Sequence, residues 1–242
     1  MSDGWVTVTD KRYRNKKFGG KRRTELNSVE TSQIYENGDS LKRCKSDCCD
    51  LEPKDITKHF DRLEKITDDI IQKLKNTKIA KVYSWGSGSL EVSIKSRLQM
   101  AFAVLIAQKL DVDCLCYDPA YTDSDKKCIN SIDKCKVTDG NNGCEVKFDE
   151  PSLVIGVHLF KKHYENLVNA NLNDLGNLKL VGNDVIKMTE NHTLDFEITG
   201  LKKIKDKVTN LFDVQSKWLS ENNRSQDSDV FNDTVLTVFN KL

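Results

Sequence analysis

The sequence predicts a doubly wound α/β fold on a mainly parallel sheet, and three observations predict it. From Ile79 to Pro119 the chain reads short apolar strand, glycine loop, long apolar helix, second apolar strand, acidic residue. That is the pattern of one βαβ unit, with parallel strands and a right-handed crossover. Strand-like and helix-like patterns then keep alternating as far as Phe239. Finally, polar residues recur just past the ends of the strand-like runs, where an open α/β sheet binds its ligands.

Within the first unit, Ile79, Val82, Tyr83 and Trp85 supply β-branched and aromatic character over a run of buried-strand length. Gly86-Ser87-Gly88-Ser89 permits a sharp turn and brings backbone N–H groups toward a ligand. From about Glu91 to Leu110, Val92, Leu98, Ala101, Phe102, Leu105 and Ile106 recur at helical spacing. Ala103, Val104 and Ala107 widen that face, so the helix is expected to be buried on most sides. Cys114 to Tyr117 is the second strand, and Asp118-Pro119 ends it.

Upstream, Pro53 opens an amphipathic helix with Ile56, Phe60, Leu63, Ile70 and Leu74 on one stripe. Downstream, Thr122 to Ile132 reads as a short helix, Cys135 to Val137 as a strand and Asp139 to Gly143 as a loop. Ser152 to Val157 is a buried strand ending at His158, and a helix follows over Lys161 to Ala170. Leu178 to Val181 is another strand, ending at Gly182-Asn183-Asp184. Leu201, Ile204, Val208, Leu211, Phe212 and Trp218 predict a single helix from Gly200 to about Leu219. A polar linker, Ser220 to Asp229, then leads to a last strand, Val235 to Phe239.

The 242 residues suffice for one large α/β domain with extra ends, read as a disordered basic tail over 1–52 and the domain over 53–242. Charged residues make up 31% of the chain and no apolar run approaches a bilayer span, which argues against a membrane protein. The first residues lack the apolar core of a secretory signal, so the expected location is cytoplasmic, nuclear or both. A net charge of +1 gives no overall pull toward nucleic acid. The tail is the exception, with Lys11, Arg12, Arg14, Lys16, Lys17, Lys21, Arg22 and Arg23 forming a basic block. Trp5 to Val8 is an apolar segment ahead of it. The eight cysteines show no zinc-finger spacing and are expected as free thiols, with no metal.

The residues singled out for binding are Gly86, Ser87, Gly88, Ser96, Arg97, Gln99, Asp118, His158, Asn183 and Asp233. Gly86 to Asp118 is a spacing that suits a nucleotide-type pocket, with glycine amides for a phosphate and the acid for ribose hydroxyls. The loop is not GxGxxG, and Asp118 before proline is equally suited to capping a turn. Arg97 in an otherwise apolar helix needs a partner or a cleft, Asp118 or solvent being the options. His158 suits acid–base work, metal ligation or packing. There is no Ser–His–Asp order, HExxH or P-loop, and no catalytic residue is named.

Taken together, Tyr83-x-x-Gly86-Ser87, then Ser96 to Ala101, then Tyr117-Asp118-Pro119 resemble the core of the Sensitivity to Red Light Reduced (SRR-like) family. The strand ending at His158, Tyr164-x-Asn166-Leu167, Val181-Gly182-Asn183 and Phe231 to Thr234 follow in the family's order. Ser84-Trp85-Gly86 stands where the family usually has Gly-Leu-Gly. The resemblance implies a Rossmann-like regulatory protein with protein partners, linked to circadian-clock input and, in some members, to haem metabolism, with no established reaction. If haem is bound, His158 or a cysteine is the candidate axial ligand; no Cys-Pro dipeptide occurs, because all three prolines follow acids. The alternative is an enzyme using a nucleotide or S-adenosylmethionine, with Gly86, Gly88 and Asp118 as contacts.

Overall fold

A computed structural model describes residues 51–190, 199–222 and 227–240. The Trp5–Val8 segment, the basic block and Cys44, Cys48 and Cys49 lie outside the described residues. Pro53 does open helical structure, but as two pieces, α1 (Lys54–Thr57) and α2 (Phe60–Leu74). Leu63, Ile66, Ile70 and Leu74 of α2 are buried along one stripe.

The βαβ unit forms as its pattern dictates: β1 (Lys81–Trp85), α3 (Ile94–Leu110), β2 (Asp113–Tyr117). From Leu98 to Ala107 every residue of α3 is buried, because this helix is wedged between the sheet and α2. Its start is set by Ser93, whose hydroxyl accepts the Ser96 N–H at 3.3 Å. It stops at Asp111, which adopts the left-handed conformation with φ 59°. Next come α4 (Asp123–Asn130), β3 (Cys135–Val137), β4 (Ser152–Gly156), α5 (Lys161–Asn171) and β5 (Leu178–Asn183). The remainder is α6 (Val185–Glu190), α7 (Thr199–Lys203), β6 (Val208–Asp213), α8 (Val214–Glu221) and β7 (Thr234–Phe239).

The expected single helix from Gly200 to Leu219 is therefore a helix, a strand and a second helix. Its middle, Val208 to Asp213, pairs antiparallel with β7 through a bulge between Asn210 and Phe212. The bulge places Leu211 and Phe212 off a simple alternation, so the run looked helical in period while its β-branched and aromatic residues built an edge strand.

The strands form one seven-stranded sheet in the order β3-β2-β1-β4-β5-β7-β6, parallel except for β7, which is antiparallel to both neighbours. This is a Rossmann-like, doubly wound arrangement whose strand order reverses between β1 and β4. One apolar cluster, with Leu63, Ile70, Phe102, Ile106 and Phe231, covers one face. A second, with Trp85, Phe148, Tyr164, Leu167 and Leu201, covers the other. On the first face Phe231 meets Phe102 and Trp218 edge-on, with ring centroids 5.0 and 5.2 Å apart. Such contacts add about 1 kcal/mol each beyond area burial and pin the 227–233 turn across the end of α3.

Cys114, Cys116, Cys128, Cys135 and Cys144 are free and buried. The Cys114 and Cys116 sulfurs are 3.7 Å apart, and Cys116 lies 3.9 Å from the Met100 sulfur. Burial pushes the Cys128 thiol up to about 11 and that of Cys144 to about 12, so both pack as small apolar groups. Among the described residues no group of three His, Cys, Asp or Glu side chains is placed to hold a metal ion, and no helix is long and apolar enough to cross a membrane.

Candidate functional site

The carboxyl ends of β1, β2 and β4 meet at the strand-order reversal, and the loop after β1 forms the floor there. Gly86 (φ +75°) and Gly88 (φ +78°) both occupy the left-handed region, where a side chain is strained. The Gly86 and Gly88 N–H groups and the Ser87 hydroxyl are engaged by the protein itself, whereas the buried Ser89 hydroxyl has no partner among the described residues. Asp118 accepts the Gly88 N–H at 2.7 Å through one carboxylate oxygen and the Ala120 N–H at 2.7 Å through the other. Burial pushes its pKa up, and the Ala120 and Gly88 amides pull it partly back. Ser87 Oγ lies 2.7 Å from the hydroxyl of buried Tyr121.

Farther along the loop, fully buried Asp125 accepts the Leu90 and Glu91 N–H groups at 3.1 and 3.0 Å through one oxygen. Its other oxygen accepts the Thr122 N–H at 3.0 Å, completing a capping box at the start of α4. Arg97 holds the same stretch from the carbonyl side, donating to Leu90 O at 2.6 Å and Glu91 O at 3.0 Å. Arg97 is thus partnered by loop carbonyls rather than by Asp118.

The crevice between β1 and β4 is filled by the chain. A Cβ built on Gly86 would stand 2.6 Å from Leu159 Cδ2, and one on Gly156 would stand 2.5 Å from Leu159 Cδ1. Leu159 is 8% exposed and covers the position where a ligand would rest on both strand ends. Behind it, the buried Tyr164 hydroxyl donates to Gly156 O at 2.5 Å and accepts the Asn183 N–H at 2.9 Å. Asn183 Oδ1 accepts the His158 N–H at 2.9 Å, and His158 itself sits at φ 62°. A non-glycine residue held there costs on the order of 1 kcal/mol. The exposed His158 ring places Nε2 3.2 Å from Asp229 O, while Asp229 Oδ2 pairs with Lys95 at 2.7 Å.

On the far side of Asp118 a half-open cleft of about 480 Å³ lies over the ends of β2 and β3. Tyr117, Asp118, Tyr121, Lys126, Thr138 and Asp139 are among its lining residues. Lys126 is the single basic residue of the lining, which also holds two acids, Asp118 and Asp139.

The SRR1-domain family model matches residues 53–238. The chain belongs to the SRR1-domain family. No curated protein matches it. Among solved structures, one described as "cmcI-N160 SAH" is similar at TM-score 0.42 and 10% identity, covering 73% of this chain and 76% of that one. The strand order above, rather than that likeness, establishes the fold.

Within the SRR1 domain eight of the ten residues singled out from sequence fall into two groups, and Gln99 and Asp233 stand outside them. Gly86, Ser87, Gly88, Arg97 and Asp118 gather at the β1 loop, with Ser96 Oγ about 3.0 Å from where a Gly88 Cβ would be. His158 and Asn183 form the second group at the ends of β4 and β5. Gln99 donates to Val230 O at 2.9 Å and ties the start of α3 to the turn that carries Asp229. Asp233 (φ 52°) lies apart, its N–H donating to Gln215 Oε1 at 3.0 Å and its carbonyl accepting the Asp184 N–H at 3.1 Å. Sequence reasoning missed Asp125, Leu159 and Tyr164 as the residues that shape the site. Thr122-x-x-Asp125 was a readable capping-box signal and Tyr164 stood in the family pattern without a role at the site; Leu159 carried no signal.

Proposed function

We propose that this SRR1 domain is a regulatory protein that acts by binding, and that its working surface is the carboxyl edge of the sheet. The observation that carries this reading is the closure of the β1 loop on its own acid. Its Gly88 amide is bonded to Asp118, and Leu159 fills the crevice that a cofactor's phosphate or amino-acid tail would need. Those two features weigh against the alternative reading as a nucleotide- or S-adenosylmethionine-using enzyme. Protein partners engaging this edge, and roles in circadian-clock input and haem metabolism, are what the family resemblance adds.

A haem-responsive role has one supporting observation. His158 presents an exposed ring on this edge, two residues from Phe160, which is 54% exposed. An exposed imidazole two residues from an exposed phenylalanine suits an axial ligand and a porphyrin face once Nε2 leaves the Asp229 carbonyl, and haem bound there would supply a ligand-dependent signal.

The test is a thermal-unfolding screen of the full chain with ATP, S-adenosylmethionine and haem. A ligand at 100 times its dissociation constant stabilises by about 2.7 kcal/mol, roughly 5–11 °C for a domain of this size. No shift is expected with ATP, nor one with S-adenosylmethionine beyond what adenosine alone gives, and a shift of that size with ATP or specific to intact S-adenosylmethionine would overturn the binding-without-cofactor reading. A haem absorption change abolished by His158→Ala would support the haem arm; a change unaffected by it would reject His158 as ligand.

A further inference from the structure

The cleft over β2 and β3 is chemically distinct from the filled crevice beside it. Its inner wall is the Asp118 carboxylate, 9% exposed, flanked by half-buried Tyr117, Val137 and Thr138. An ionised carboxylate has about four acceptor positions, and the Gly88 and Ala120 amides occupy two of them. Two remain on a group that is fixed in place and cannot swing to solvent. A vicinal diol is the donor pair that matches a fixed carboxylate at the end of a second parallel strand. Asp139, an exposed acceptor, and half-buried Tyr117 and Val137, which supply aromatic and apolar surface, line the same cleft. Cleft volume, near 480 Å³, falls in the range that encloses a small organic ligand.

We propose that this cleft binds an uncharged nucleoside bearing an exocyclic amino group, its ribose diol on Asp118, its base against Tyr117 and Val137, and its amine toward Asp139. Phosphorylated forms are disfavoured by the lining, where Asp118 and Asp139 outnumber Lys126. A phosphate would add negative charge to a net-negative site, and the amide best placed to receive it, Gly88 N–H, is already engaged. The nucleoside would be a signal rather than a substrate, so the inference rests on the binding-protein reading and names its ligand class.

The experiment is calorimetric titration of the full chain with adenosine as probe, beside 2′-deoxyadenosine, inosine and AMP. Adenosine is expected to bind saturably at one site. Loss of one hydrogen bond to a charged acceptor is expected to weaken 2′-deoxyadenosine and inosine by about 10-fold or more each, and AMP should be weaker by at least as much. Asp139→Asn, an exposed substitution, should weaken adenosine but not inosine while leaving the melting temperature unchanged. Asp118→Asn should abolish binding; because it also touches the loop, its melting curve is measured alongside, and the deoxy-sugar comparison tests the same contact in the unaltered protein. Absence of saturable adenosine binding, or equal affinity for adenosine and AMP, would overturn the proposal. Either result leaves the binding-protein reading standing, since that reading falls only if ATP, or intact S-adenosylmethionine beyond what adenosine alone gives, stabilises the fold.

Discussion

Asp125→Ala should be among the costliest single changes outside the apolar clusters. The carboxylate has 0% exposure and accepts three backbone N–H groups, from Leu90, Glu91 and Thr122. The capping share at α4 is worth about 1 kcal/mol. Leaving the fully buried Leu90 amide without an acceptor costs about 3 kcal/mol, while the amide of exposed Glu91 recovers water at little cost. A total near 4 kcal/mol is expected. In urea denaturation of the full chain, with a slope on the order of 2 kcal/mol per molar, the midpoint should fall by about 2 M at unchanged slope. Asp123→Ala is the control: its side chain is fully exposed, and its pairing with Lys126 at 3.9 Å is a surface contact worth little. Faster hydrogen exchange at the Leu90 and Glu91 amides should accompany the Asp125 change. A midpoint shift no larger than that of the control would refute the claim that Asp125 holds the glycine loop.

Two further outcomes follow from the same geometry. Gly182→Ala would place a Cβ 2.9 Å from the Tyr164 hydroxyl and 3.0 Å from Gly156 O, so overpacking of about 1–3 kcal/mol should lower the melting temperature by roughly 2–12 °C; Gly140→Ala, with nothing within 4 Å, should not move it. Burial, helped by the Lys58 and Arg62 charges, lowers the His59 pKa from 6.5, and burial does the same to His163. The unfolded chain then binds more protons than the fold just below pH 6.5, so stability is retained above that pH and lost as pH falls beneath it, by at most about 1.4 kcal/mol per pH unit per histidine. His59→Leu should flatten part of that acid-side slope in urea titrations at pH 5 to 7, and an unchanged slope would show that His59 does not titrate with unfolding.

The sheet was legible where each element carried its own period. The β1–α3–β2 unit, β4, α5 and β5 followed from apolar runs of the right length, because local pattern and tertiary burial agreed. β6 was not legible, since its pairing partner lies more than twenty residues later and a bulge disturbs its alternation. At the site, the glycines and Asp118 could be named from spacing, and they do converge. What spacing could not reveal is that the acid binds the glycine amide itself. Sequence pattern places residues at a strand end; it does not say whether their free valences face a ligand or each other. Leu159 illustrates the same limit, because one more leucine after a histidine carries no sign that it will fill a crevice.

The position of β7 has a consequence for how the chain comes to be folded during synthesis. Among the described residues β6 is hydrogen-bonded to β7 and to no other strand, and β7 is the only partner on that side of β5. A nascent chain that has emerged as far as α8 therefore has the five parallel strands β1 to β5 with the β5 edge still unpaired, and a sixth strand without its partner β7. For the seconds that translation needs to deliver Thr234 to Phe239, the apolar residues of β5 and the α8 tryptophan wait without their final cover. The last strand acts as a late keystone, and a ribosome stalled before it would release a chain whose open β5 edge invites pairing with a neighbour.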